Sequence, residues 1–179
     1  MLLEVCAASH NSKMSEPLGL GFRGVVKVIQ RLYPHVPRMS TDQLQRILRN
    51  TSDQRTNRKP PNLVMLDVRE QKERDVSLID GSIHVKPSTT DMTKLLERVN
   101  KLVHPAKDPK TILCYCATGL RASIMADRIL TELSKHEDLK QSTRVYALEG
   151  SIFKWGNEFK PLVDPNGRKT VQVHGMNSV

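Results

Sequence analysis

Thr111-Ile112-Leu113-Cys114-Tyr115-Cys116-Ala117-Thr118-Gly119-Leu120-Arg121-Ala122-Ser123 decides how the chain is read. Thr111 to Tyr115 has the pattern of a strand buried on both faces. Cys116 to Arg121 is a short loop of small residues, and a helix opens at about Arg121. Ala122, Met125, Ala126, Ile129 and Leu133 form the inward stripe of that helix. The unit is therefore strand, tight loop, helix, with a thiol where the strand ends.

The same alternation extends on both sides. Leu63-Val64-Met65-Leu66 is a second continuous apolar run, with Asp67-Val68-Arg69-Glu70 at its carboxyl end. Ser82-Ile83-His84-Val85 reads as a short strand after Gly81. Asp91 starts a helix carrying Met92, Leu95, Leu96, Val99, Leu102 and Val103 on one side, and Pro105 ends it. Val145-Tyr146-Ala147-Leu148 is the last strand, followed by Gly150. Towards the amino terminus, Phe22, Val25, Val26, Ile29 and Leu32 recur at helical spacing until Pro34 and Pro37. Ser40 to Gln43 is a capping box for a helix with Leu44, Ile47 and Leu48 inside. Asn50 to Pro61 is polar and reads as a surface loop.

Strands alternating with helices predict an α/β fold with a mainly parallel sheet and helices on both faces. The expected organisation is a flexible tail over 1–17, a domain over 18–160 with an amino-terminal helical extension, and a carboxyl-terminal extension over 161–179. In such sheets function gathers at the carboxyl ends of strands, where Asp67 and Cys116 both fall.

The loop makes a cysteine reactive without a His–Asp pair. Successive N–H groups of Ala117, Thr118, Gly119 and Leu120 can turn inward as an anion nest. The positive end of the following helix aims at the same point, and Arg121 adds a permanent charge. All three favour thiolate over thiol at Cys116. Ala117, Thr118, Gly119, Leu120 and Arg121 are thus the candidate substrate-binding residues, with Cys116 the candidate nucleophile. Cys6 and Cys114 read as inert. Asp67 and Arg69 read as structural support of the site, and His84 and Trp155 as structural and core residues.

Composition excludes several classes. Twenty-eight Lys and Arg against nineteen Asp and Glu leave a charge of +9, and ten of those basic residues precede Pro61. Aromatics are only 4%, too few for base-stacking platforms, so nucleic acid is not an expected partner. The apolar runs are far shorter than a membrane span, so no membrane is expected either. Three cysteines without framework or zinc spacing predict a reducing compartment, with no metal and no cofactor. The expected location is cytoplasmic. The basic amphipathic stretch with Arg23, Lys27 and Arg31 leaves a mitochondrial location as the alternative.

Four segments together resemble the rhodanese family. Leu66-Asp67-Val68-Arg69-Glu70 is similar to its first signature, and Gly81-Ser82-Ile83-His84-Val85 to its Gly-Ala-Ile-His-Ile-like segment. Cys116 to Ser123 is similar to the Cys-x-x-Gly-x-Arg-Ser loop, with Ala122 inserted before the Ser. Leu148 to Trp155 resembles the closing Leu-x-Gly-Gly-x-x-x-Trp, with Ser151 in place of the second Gly. The resemblance implies a five-stranded sheet and a thiosulfate sulfurtransferase in which Cys116 carries the sulfur as a persulfide. It also implies a small anionic sulfur donor and a cyanide, thiol or protein acceptor. Two other readings stand beside it: a non-catalytic interaction module, and a cysteine-dependent phosphatase or arsenate reductase. Phosphatases on this fold use Cys-x5-Arg, whereas Cys116 and Arg121 make a loop one residue shorter.

Overall fold

From residue 20 onward the chain alternates helix and strand. The computed structural model describes residues 20–51, 62–102 and 109–175. The elements are α1 (Leu20–Leu32), β1 (Arg38–Met39), α2 (Thr41–Thr51), β2 (Leu63–Asp67), the single turn α3 (Gln71–Arg74), β3 (Ile83–His84) and α4 (Met92–Leu102). They continue with β4 (Lys110–Tyr115), α5 (Leu120–Leu133), α6 (Glu137–Ser142), β5 (Thr143–Leu148), α7 (Ser151–Asn157), β6 (Leu162–Val163) and β7 (Lys169–Thr170). The expected tail with Cys6, the connection over 52–61 and the end of the fourth helix at Val103 to Pro105 lie outside the described residues.

One five-stranded sheet runs in the order β1-β5-β4-β2-β3, and every neighbouring pair is parallel. The α/β architecture with a mainly parallel sheet is thus as the alternation predicts. Four of its strands fall on segments read as strands from the sequence, three of them as apolar runs. The fifth, β1, is two residues long and has no apolar run of its own. It exists because Ala147 donates to the Pro37 carbonyl and Glu149 to that of Met39, both at 2.9 Å.

Each strand feeds two cores, because successive side chains point to opposite faces. Val64 and Leu66 of β2, Ile112 and Cys114 of β4, and Val145 and Ala147 of β5 pack against α4 and α5. Met65, Leu113, Tyr115 and Leu148 pack on the other side against Leu44 of α2 and against Ile152 and Trp155 of α7. The stripe Ala122, Met125, Ala126, Ile129 and Leu133 is buried throughout. A fully buried Leu or Ile contributes about 1.5–3 kcal/mol, so these two layers hold the sheet whose ends carry the site.

The carboxyl-terminal segment docks on the fold, with Val173 packed against the second core layer. Leu78 and Val163 exchange backbone hydrogen bonds at 2.8 and 3.0 Å, and β6 pairs antiparallel with β7. Trp155 is buried, and its indole N–H donates to the Pro161 carbonyl at 2.8 Å. Among the described residues no helix is long and apolar enough to cross a membrane.

Candidate active site

Register puts the chemistry-bearing residues side by side. Leu66 of β2 lies opposite Cys114 of β4, so Asp67 lies opposite Tyr115, and Cys116 follows at the strand's end. Asp67 is fully buried beneath the site. Its carboxylate takes two bonds from the Arg69 guanidinium, at 2.9 and 2.7 Å, one from Arg74 at 2.9 Å and one from the Tyr115 hydroxyl at 2.8 Å. Arg69 also donates to the carbonyls of Ser77 and Glu73, at 2.6 and 3.3 Å. A buried charge needs this degree of pairing to be tolerated. Asp67 and Arg69 therefore form the floor that shapes the segment after β2, and neither makes a hydrogen bond to Cys116. His84 adds to it, with Nε2 at 2.9 Å from the Arg69 carbonyl.

Cys116 is 1% exposed and sits at the base of the loop. The Gly119 N–H points at its Sγ at 3.1 Å. That geometry requires φ of +117° at Gly119, a left-handed value that a side chain makes strained. The loop carbonyls turn the other way, towards the first turn of α7. Ile152 N–H donates to the Cys116 carbonyl and Phe153 N–H to that of Ala117, each at 3.1 Å. A helix start has amides without partners of its own, and here the loop supplies the acceptors. In a trans peptide the N–H opposes the C=O, so the Ala117 and Thr118 amides point away from α7. Neither has an acceptor among the described residues. Leu120 opens α5 and is exposed, and Gly119 caps that helix without a side-chain bond. The Gly119 N–H and the start of α5 therefore meet at one sulfur, with two further amides of the same loop left without acceptors, an arrangement suited to an anion.

Arg121 is held by a residue that the sequence reading did not single out. Its two terminal nitrogens reach the Glu73 carboxylate at 2.6 and 2.8 Å. Glu73 is itself fixed by the Glu70 N–H at 3.0 Å, within the capping box of α3. Burial raises the Glu73 carboxyl, but Arg121 and the Glu70 amide outweigh it and leave the group below its ordinary value of 4.5. The same bond to Glu73, opposed by burial and aided by Cys116, raises Arg121. A fixed cation thus stands beside the thiol. The signal for Glu73 was an acid placed to cap a one-turn helix after Arg69-Glu70.

Two further supports surround the loop. Ser123 Oγ donates to the Gly119 carbonyl at 2.6 Å and accepts from Arg38 at 2.7 Å. Arg38 also reaches the carbonyl of Tyr33 at 3.2 Å, tying the end of α1 to the loop. Ser151 has φ of +51°, which explains why glycine is usual there. Cys114 points into the core between sheet and helices, where burial pushes its thiol up. Its reading as inert fits that placement. No group of three or more His, Cys, Asp or Glu able to hold a metal occurs among the described residues.

The fold and loop define a class: a parallel α/β domain with one buried cysteine at a strand end, cradled by amides and a paired arginine. A model of the rhodanese-like domain matches residues 44–158, well over half the chain, and the chain belongs to that family. Among curated proteins it is 25% identical over 103 residues to a dual specificity phosphatase Cdc25 of Arabidopsis thaliana, covering 57% of this chain and 67% of that one. The fold is similar to that of a thiosulfate sulfurtransferase from Pseudomonas aeruginosa, at a TM-score of 0.54 and 20% identity. That match covers 82% of this chain but only 23% of the other. It is also similar to a Saccharomyces cerevisiae homologue of single-domain rhodanese and the Cdc25 phosphatase catalytic domain. There the TM-score is 0.57 at 16% identity, over 71% of this chain and 84% of that one.

Proposed function

We propose that the protein is a sulfurtransferase that moves a sulfane sulfur from thiosulfate or a similar anionic donor to a thiophilic acceptor through Cys116. The observation that carries this reading is the compactness of the loop, with Gly119 N–H already at 3.1 Å from Sγ. One extra sulfur needs a single site close to the cysteine, whereas an in-line phosphoryl group needs room for three equatorial oxygens. The Cys116 thiolate attacks the outer sulfur of thiosulfate, a new S–S bond forms, and sulfite leaves with the electrons of the broken one. Cyanide, a small thiol or a protein thiol then attacks the outer sulfur and restores the thiolate. This is two-step covalent catalysis, with leaving-group behaviour as in disulfide exchange. The free amides of Ala117 and Thr118 support the negative charge on donor and persulfide.

The similarity to a plant dual specificity phosphatase favours a second reading, aryl or protein phosphate hydrolysis at the same cysteine. One experiment separates them. Turnover of thiosulfate with cyanide, repeated with glutathione, is expected, together with essentially no release of phosphate from an aryl phosphate. Robust phosphate release that disappears in Cys116→Ser reverses the order of the two readings. Absence of both activities leaves the interaction-module reading in their place.

A further inference from the structure

A groove of about 750 Å³ runs along α4 beside the free edge of β3. Its floor is apolar, from the buried side chains of Val85 and Leu95. Its rim is cationic, from exposed Lys86, Lys94, Arg98 and Lys101. The three lysines make no ion pair among the described residues. Arg98 reaches only the His84 carbonyl, at 3.4 Å. Four cations against two acids, Asp91 and Glu97, leave the lining with a net positive charge, and none of the four is in a salt bridge among the described residues, so the rim favours an anionic ligand.

The groove is preformed and close to the reactive centre. Arg128 of α5 donates to the carbonyls of Thr89 and Pro87, at 3.0 and 3.4 Å, and so braces the segment that forms one wall. Val85 N–H bonds the Asp67 carbonyl, and Val68 N–H bonds that of Tyr115. The groove therefore begins two strand spacings from the end of β4, roughly 10 Å away.

We infer that this groove docks an acidic, extended segment of a protein partner. The purpose of that docking, presenting a protein thiol as acceptor, rests on the reading of Cys116 as sulfur carrier. Lys94 and Arg98 are separated by about 6 Å along the helix axis, from four residues of 1.5 Å rise. Carboxylates on alternate residues of an extended chain are about 6.6 Å apart, so acids two residues apart match the rim. The residues between them turn to the other side and meet Val85 and Leu95. A nucleic acid fits less well. The lining offers no Phe, Tyr or Trp for a base to stack on, whereas its apolar floor suits the alternate aliphatic side chains of a peptide.

The test uses a short fluorescein-labelled peptide of alternating Glu and Val, followed by fluorescence anisotropy at low salt. The full chain is expected to bind it, and Lys94→Glu/Lys101→Glu to bind about tenfold more weakly. Far-UV circular dichroism of that variant, in which only exposed and unpaired lysines change, is expected to match wild type. Cys116→Ser is expected to bind the peptide as wild type does. Docking therefore stands even if thiosulfate turnover is absent, and failure of the sulfurtransferase reading is seen separately. Equal binding by the double variant, equal binding of a Gln-Val peptide, or preference for single-stranded DNA of the same charge overturns the inference.

Discussion

The Ser151 hydroxyl accepts the Cys116 N–H at 3.2 Å and lies 3.3 Å from the Leu148 carbonyl, to which it donates. A residue that departs from the family pattern thus ends up bonded to the backbone of Cys116. The cost is a left-handed backbone at a residue with a side chain, φ +51°, of order 1–3 kcal/mol. The return is a buried amide that would otherwise lack an acceptor, a loss of about 1–3 kcal/mol.

These magnitudes nearly cancel, so Ser151→Gly should change stability by no more than about 1 kcal/mol. Ser151→Val puts a β-branched residue at the same φ and removes the acceptor, and should lose about 2 kcal/mol or more. Urea unfolding of the two variants checks this. A Val variant as stable as wild type would mean that the backbone at 151 is not left-handed.

Cys116→Ser should abolish sulfur transfer, and Cys114→Ser should keep most of it. The Cys114 thiol is buried in the core and pushed up by that burial, so it presents little thiolate. Mass spectrometry after thiosulfate should find the added sulfur on the peptide from Cys116. After partial alkylation near neutral pH, the label should likewise sit on Cys116 and spare Cys114. A persulfide shared between the two cysteines would refute the assignment.

Glu73→Gln should loosen Arg121 and lower thiosulfate turnover roughly tenfold or more, as small displacements of a positioned charge do. The pair also has a pH signature. Because the Glu73 carboxyl lies below its ordinary value of 4.5 when folded, its stabilisation is fully present above pH 4.5. It is lost as pH falls through the lowered value. The stability gap between wild type and Glu73→Gln should thus be open at neutral pH and close in acid; a gap that widens in acid contradicts the sign.

Gly119→Ala should fold less stably by about 1–3 kcal/mol, from backbone strain. An added Cβ would meet its nearest neighbours at 3.8 and 3.9 Å, an ordinary contact. The cost therefore lies in φ +117° and not in crowding. Turnover should fall more than stability, because relaxing φ turns the amide away from Sγ. An active Ala variant would show that this N–H is dispensable.

Much of this was legible because burial leaves a pattern. The apolar runs of β2, β4 and β5 and the stripe of α5 are long enough to show their period, and the loop from Cys116 to Arg121 sits between two of them. The remainder depended on partners distant in sequence. β1 is Arg38–Met39 and becomes a strand only by pairing with β5. α6 buries no residue, so it offers no stripe to read. Glu73 matters through Arg121, forty-eight positions on, and Arg38 through Ser123, eighty-five positions on. Single-chain periodicity carries no record of such pairs.

The position of β1 has a practical consequence for anyone trimming the protein. The family match begins at Leu44, after both α1 and β1. A chain cut there would uncover the outer edge of β5 at Ala147 and Leu148, take Ile29, Val36 and Met39 from the core, and leave Ser123 without Arg38. Bare parallel edges recruit other chains. Residues 20–39 thus cover the edge of β5 that such a cut would leave open to pairing with another chain.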